Sequence, residues 1–315
     1  MAWPCRTSLW GAALGQARED YAAVANAIAE FELVTMVANP GAEAAQARAA
    51  LTERVEVVEL PLDDSWLRDC GPIYVRDGAL DERVAVHFRF NGWGEKFAPW
   101  DRDAAVGASI ARRLGDEVRE APLVLEGGAV YSNGAGTLLT TEQCLLHPSR
   151  NPSLSREQIE AALREHLGAE RIVWLGQGLV EDRDTDGHVD LIAAFTAPGR
   201  VLLQMVPEGN PNFERCQENR RRLDEARLEV LEMPHLPYAE VQGERVAATY
   251  LNLYVCNAAV IVPVTGAASD APALAIVAGA FPGREVVPVP GATIAYGGGG
   301  PHCITQQVPA RSPAA

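Results

Sequence analysis

The sequence predicts an α/β fold in one domain over residues 1–315, assembled from a β/α unit that recurs about every 55 residues. Three observations carry this. Apolar residues alternate between helical spacing and short β-rich runs, four helix starts fall at nearly constant intervals, and no linker-like stretch divides the 315 residues.

The first helix is read from Tyr21, Val24, Ile28 and Phe31, and it feeds the strand-like run 33–38. Residues 41–51, rich in Ala and Gln, read as a second helix, and Val55 to Leu60 as a strand stopped by Pro61. A strand over 84–90 runs into Asn91-Gly-Trp-Gly94, read as a loop. Further helices are predicted to begin near Asp103, Ser155, Asn212 and Ser269, which are 52, 57 and 57 residues apart. Ser155 is the best marked, because Ser155 and Gln158 form a capping box while Ile159, Leu163 and Leu167 share one face. Strand-like runs at 172–175, 188–195, 201–205 and 251–255 lie between them. Such spacing also arises from ordinary α/β alternation, and no residue-level repeat is legible. Residues 309–315 are expected to form a loose tail.

Composition excludes several function classes. With 48% apolar and 22% charged residues and no long apolar run, the chain reads as a soluble globular protein without a membrane span. The opening Met1-Ala-Trp-Pro-Cys5 lacks a basic region followed by an apolar stretch, so a cytoplasmic location is expected. The net charge of −15 argues against nucleic acid or an anionic membrane as partner and favours a cationic ligand, although most of these charges serve solubility. Cysteines 5, 70, 144, 216, 256 and 303 form no CxxC pair, so reduced thiols are expected rather than a disulfide framework or zinc ribbon.

Chemistry concentrates in four stretches. Gly297 to Gly300 run directly into Pro301, His302 and Cys303, which marks Cys303 as a nucleophile that a ligand can approach along bare backbone. Cys70 is the rival thiol, but adjacent Asp69 disfavours its thiolate. His188 and Asp190 open an apolar run, where strand alternation would place both on one face; a ligand-facing pair and a structural pair remain equally open. A metal site there lacks an HxxxH or HExxH partner. Glu126 ends an apolar run at Gly127-Gly128 with no basic neighbour in sequence, so it could orient an imidazole. The stretch 63–72 holds Trp66, Arg68 and Asp69; it suits a cation, yet by itself reads as a solvated acidic turn with Asp69 paired to Arg68.

Taken in order, Trp66-Leu-Arg-Asp-Cys-Gly-Pro72, Glu126-Gly-Gly128, Gly187-His-Val-Asp190 and the glycine run to His302-Cys-Ile-Thr-Gln-Gln307 resemble the agmatine deiminase family. That family lies in the guanidine-modifying superfamily with arginine and peptidylarginine deiminases. The likeness extends through residues 138–146, Asn151-Pro152 and 250–254. It implies a pentein fold, a five-bladed α/β propeller of ββαβ modules, which would give the helix spacing its cause. It also implies a hydrolase that converts agmatine and water to N-carbamoylputrescine and ammonia through an amidino-cysteine intermediate. By resemblance Cys303 is the nucleophile, His188 the general acid/base, Asp69 and Asp190 the acids gripping the guanidinium, Glu126 the acid orienting the histidine, and Trp66 a pocket wall. Asp184 and Asp186 are candidates for the distal amine, and Asn252 for the pocket lining. The resemblance implies no metal or organic cofactor, and a homodimer. A guanidinium is permanently charged and delocalised, so its carbon becomes reactive only when fixed, which two carboxylates can do.

Departures bear on the substrate. Gly300-Pro301 stand where the family commonly has Asn-Ile, Asp186 stands where Asn is usual, the usual short leader before Met-Ala-Trp-Pro is missing, and the segment between Val206 and Gln242 is short. The alternatives are deimination of arginine, peptidyl arginine or a specialised metabolite, amidino transfer to an amine, and a non-catalytic pentein-fold binding protein resembling the ribosome anti-association factor.

Overall fold

The computed structural model describes residues 1–77 and 82–311. Helix α1 (Leu14–Ile28) buries Ala17, Tyr21, Val24, Ala25 and Ile28, so the predicted apolar face is real and the helix begins earlier than Tyr21. It leads to β1 (Val34–Ala38), α2 (Ala42–Ala50) and β2 (Val55–Glu59), with β1 and β2 parallel. Ala2 bridges Val37 on β1 in parallel, which ties the chain start to this sheet.

Four three-stranded sheets follow, each with an antiparallel first pair and a parallel second pair joined across a helix. The first comprises β3 (Ile73–Asp77), β4 (Glu82–Arg89), α3 (Asp101–Arg113) and β5 (Glu117–Val124). The second comprises β6 (Val130–Ser132), β7 (Thr137–Thr141), α4 (Arg156–Leu167) and β8 (Arg171–Leu175). The third comprises β9 (Ala193–Ala197), β10 (Arg200–Gln204), α5 (Phe213–Glu225) and β11 (Glu229–Met233). A hairpin, β12 (Tyr238–Val241) with β13 (Glu244–Ala247), precedes the fourth: β14 (Tyr254–Val255), β15 (Ala259–Val264), α6 (Asp270–Ala280) and β16 (Glu285–Pro290). The ββαβ unit is therefore present four times, and the module helices begin at 101, 156, 213 and 270. The capping box at Ser155 and Gln158 forms as predicted, and Gly168 closes that helix in the left-handed conformation.

Three local expectations differ. Residues 188–195 do not form one strand: His188 precedes a 3₁₀ turn over Val189–Leu191, and β9 starts only at Ala193. The cause is Asp182, whose Oδ2 accepts from the backbone N–H of Gly187 and of His188 at 2.9 and 3.0 Å and so closes a loop ahead of the strand. Residues 251–253 form a turn held partly by Thr249, leaving only Tyr254–Val255 as strand. The β12–β13 hairpin was not foreseen; Gln242 and Gly243 both carry positive φ, the backbone a tight hairpin turn requires. At the C-terminus, residues 312–315 of the expected tail lie outside the described residues, while Arg83 donates to the Pro309 carbonyl and Arg311 to Asp116.

One apolar cluster joins Trp3, Tyr21 and Met36 to Tyr254, Ile261 and Ile304, so the two ends of the chain share a core. Smaller clusters lie beneath the remaining sheets. Among the described residues no helix is long and apolar enough to cross a membrane.

Candidate active site

The chemistry-bearing residues occupy equivalent places in successive modules. Asp69 precedes β3, Glu126 precedes β6, His188 and Asp190 precede β9, Asn252 precedes β14, and Cys303 lies in the turn after β16. All six are buried. Because each sits just ahead of the first strand of its sheet, or just past the last one, the repeat that orders the sheets also brings these loops together.

Asn252 builds the turn that carries Cys303. Its Oδ1 accepts from the backbone N–H of His302 and Cys303 at 3.1 and 3.2 Å, and its Nδ2 donates to Cys303 Sγ at 3.1 Å and to the Asp190 carbonyl at 3.2 Å. Asn252 thus holds the thiol in place, a different task from the pocket-lining role expected of it. Cys303 Sγ also lies 3.4 Å from Asp190 Oδ2. Burial, then the Asp190 and Asp69 charges, push the Cys303 thiol well above its ordinary range.

Asp190 is held ionised. Burial opposes its charge, but the hydrogen bond from His302 Nδ1 at 2.7 Å and the charges of His188 and Arg68 bring its carboxyl below the usual range. Burial and Arg68 lower His302 to about 4, so at neutral pH His302 is a neutral Nδ1–H donor. Tyr131 stacks on its ring at 5.1 Å. Asp190 Oδ1 has no partner among the described residues.

Asp69 does not pair with Arg68, as the solvated-turn reading had it. Arg68 is buried and donates to the His302 carbonyl and to Gln306. Asp69 instead accepts from Trp93 Nε1 and from the Gly128 backbone N–H, both at 2.9 Å, and its Oδ1 lies 3.9 Å from His188 Nδ1. Burial raises its carboxyl to about 6, against the opposing pull of His188. Gly128 is obligatory here, since a Cβ on it would stand 2.5 Å from His188 Nδ1 and 2.9 Å from Asp69 Oδ1.

His188 is fully buried, and neither ring nitrogen has a partner among the described residues. Burial lowers its pKa, but the Asp69, Glu126 and Asp190 charges outweigh that and raise it. Glu126 makes no hydrogen bond to His188. Its Oε1 is taken by Arg150 Nε at 2.6 Å, in an ion pair from which solvent is excluded, while Oε2 stays unpartnered. The base absent from its sequence neighbourhood is thus supplied by residue 150. Glu126, Cys144 and His188 bring three donor atoms within 4.8 Å of one another, but the Arg150 guanidinium opposes a metal cation at that place.

Of these groups, Cys303 and Asp69 line a cavity whose walls also include Trp66, Trp93, Phe97 and Asp184. Trp66 stacks on Trp10 at 5.9 Å and meets Tyr21 edge-on. Cys70 is no rival, because its thiol donates to the Trp66 carbonyl at 3.4 Å and does not line the cavity.

Residues 1–309 match the Porphyromonas-type peptidyl-arginine deiminase family. The chain is 43% identical to the agmatine deiminase of Stutzerimonas stutzeri over 98% of its own length and 92% of the relative, and 42% identical to that of Pseudomonas fluorescens with the same coverage. It superposes on an agmatine deiminase of Enterococcus faecalis with a TM-score of 0.94 at 33% identity, covering 99% of this chain and 93% of that one. The chain belongs to this deiminase family. The α/β fold of the family is the fold described above.

Two of the sequence departures, at Gly300 and at Asp186, have local causes. A Cβ at Gly300 would lie 2.7 Å from Asn252 Oδ1, so the space beside residue 300 is already filled by the amide that positions Cys303. Asp186 has φ of +62°, a conformation Asn and Asp tolerate better than other residues with a side chain, and its carboxylate receives both Arg150 and Lys96. It is therefore committed to ion pairs, whereas no described donor reaches the Asp184 carboxylate beside it. The sequence reading does not single out Trp93, the Asp69 donor and a cavity wall; its only signal there is a tryptophan between glycines in Asn91-Gly-Trp-Gly94.

Proposed function

We propose that this chain hydrolyses agmatine to N-carbamoylputrescine and ammonia with Cys303 as covalent nucleophile. The observation carrying this is the meeting of one thiol, one imidazole and two carboxylates beside a cavity that Cys303 and Asp69 line, with Asp190 Oδ1 and both His188 nitrogens left without a hydrogen-bond partner among the described residues. Buried groups of this kind are the places a substrate would satisfy.

In this mechanism Asp69 and Asp190 receive the planar N–H edges of the guanidinium and align its carbon with Sγ. The incoming positive charge reverses the effect that holds the thiol protonated, so the thiolate forms when substrate is present. Sulfur adds to the carbon, His188 protonates the departing nitrogen, and ammonia leaves an amidino-thioether. Water, deprotonated by His188, then adds to the same carbon; the C–S bond breaks, sulfur regains its proton, and the ureido product departs. Glu126 lies near His188 and supports its positive charge.

The cavity also argues for the distal end of the substrate. Leu9, Trp66, Trp93 and Phe97 offer apolar walls for a methylene chain, and Asp184 offers an acid for an ammonium, while no basic residue is among the lining. An α-carboxylate, as in arginine, would face Asp184 unfavourably. We read the β1–β2 pair and the four three-stranded sheets as five blades closed around this site within one catalytic domain, acting in the cytoplasm as a homodimer.

Ammonia release from agmatine, arginine and a peptidyl-arginine substrate tests the reading, with glycine added as amine acceptor to reveal amidino transfer. Turnover confined to agmatine and giving the ureido product is expected; turnover of arginine alone, or transfer to glycine, would overturn it.

A further inference from the structure

Lys96 is the only lysine in this sequence, against 26 arginines. It lies on the segment between Trp93 and Phe97, both of which line the cavity, and its ammonium reaches the segment that carries Asp184 and Thr185. There it donates to the carbonyls of Arg183 and Asp184 at 2.8 and 3.0 Å and to Asp186 Oδ1 at 2.7 Å. An ammonium has three protons, and all three are used. Asp184 and Thr185 of that second segment line the cavity as well.

We propose that Lys96 is a positioning residue that latches the 91–97 segment onto the 181–187 segment and so keeps the cavity mouth closed around the substrate. The two segments do not depend on it equally. The 181–187 segment is held independently by Arg150, which reaches Asp186 Oδ2 at 2.9 Å and the Thr185 carbonyl at 3.2 Å. The 91–97 segment is anchored at its start, where Asn91 donates to the Ser149 carbonyl and Trp93 to Asp69. Its far end is held within the segment by the Phe97 N–H to the Gly92 carbonyl and just beyond it by Arg6 to the Ala98 and Pro99 carbonyls, and Lys96 is what joins it to the 181–187 segment. Loss of the ammonium should therefore loosen the Phe97 side from the 181–187 segment and leave Asp184 in place. The Lys96 side chain is 31% exposed, so the latch is within reach of solvent and of reagents. By fixing the backbone carbonyl of Asp184 it also leaves that carboxylate for the substrate, so the part concerning KM rests on the function proposed above.

The test compares wild type with Lys96→Met and Lys96→Arg. Alkylation of Cys303 by iodoacetamide, followed on the Cys303 peptide by mass spectrometry, should run roughly 1.5-fold to fivefold faster in Lys96→Met, the range for one partly exposed charged contact. KM for agmatine should rise by a similar factor with kcat less affected, Lys96→Arg should restore both, and the melting temperature should stay at the wild-type value. Amine-directed acetylation of folded wild type, with Lys96 the sole side-chain target, should reproduce the Lys96→Met behaviour. Alkylation requires no guanidino substrate, so absence of agmatine turnover in wild type would sink the functional reading and leave this test intact. Wild-type alkylation rates in both Lys96→Met and the acetylated protein would overturn the latch.

Discussion

Replacing Asn252 by Asp probes how the nucleophile is tuned, because the change is nearly isosteric. The retained Oδ1 still accepts from the His302 and Cys303 N–H groups, so the turn should keep its shape. What changes is the atom 3.1 Å from Sγ, from an N–H donor to a carboxylate oxygen. Two unit charges at that separation repel by about 5 kcal/mol at an effective dielectric of ~20, equivalent to roughly four pKa units on the thiol. If repacking or protonation of the new acid leaves only a quarter of this, the thiolate population still falls about tenfold. The assay is kcat for agmatine together with the pH profile of Cys303 alkylation. Asn252→Asp should lose at least about tenfold in kcat and move the alkylation profile to higher pH. A folded variant with the wild-type kcat and the wild-type alkylation profile would refute the argument that the Asn252 donor supports the thiolate.

Other consequences follow from the same geometry. Asp69, raised to about 6 chiefly by burial, must be ionised to hold a guanidinium, so kcat/KM should fall as pH drops through about 6. The bound cation favours the ionised carboxylate, so kcat should hold to lower pH; a pH-rate profile of both parameters checks this. Gly128→Ala places a Cβ 2.5 Å from His188 Nδ1 and should cut kcat/KM by about a hundredfold or more through misplacement, with a normal circular dichroism spectrum. Arg150→Met strands the buried Glu126 carboxylate and should cost about 3–5 kcal/mol of stability in a denaturant titration, whereas a surface arginine such as Arg54 should cost almost nothing.

Much of the fold was legible because its signals are local. The capping box at Ser155, the apolar face of α1 and the regular helix starts each lie within a few residues of sequence, and local chemistry determines them. Within the site, Cys303, His188, Asp190 and Glu126 stood out through glycines and apolar runs beside them, whereas Asp69 read by itself as a solvated turn and entered only through the family resemblance. The partners that set their properties did not, because those partners come from elsewhere in the chain. Asp69 owes its indole donor to Trp93 and Glu126 its counter-charge to Arg150, each 24 residues away, and Asp190 is held by His302 from 112 residues away. Burial was equally hidden: a sequence showing Arg68 next to Asp69 invites a pair, but folding sends Arg68 to the His302 carbonyl and Asp69 to Gly128 and Trp93. The His188 segment illustrates the reverse case. Strand alternation was the wrong reason for placing His188 with Asp190, since a 3₁₀ turn closed by Asp182 and Gly187 does so instead.

Covalent catalysis by Cys303 is the centre of the account, and intact-mass and peptide mass spectrometry of enzyme quenched in acid during agmatine turnover test it most directly. The account predicts a fraction of enzyme heavier by agmatine less ammonia, with the added mass on the Cys303 peptide, and neither adduct nor turnover in Cys303→Ala. Turnover by Cys303→Ala, or an adduct on any other residue, would contradict it.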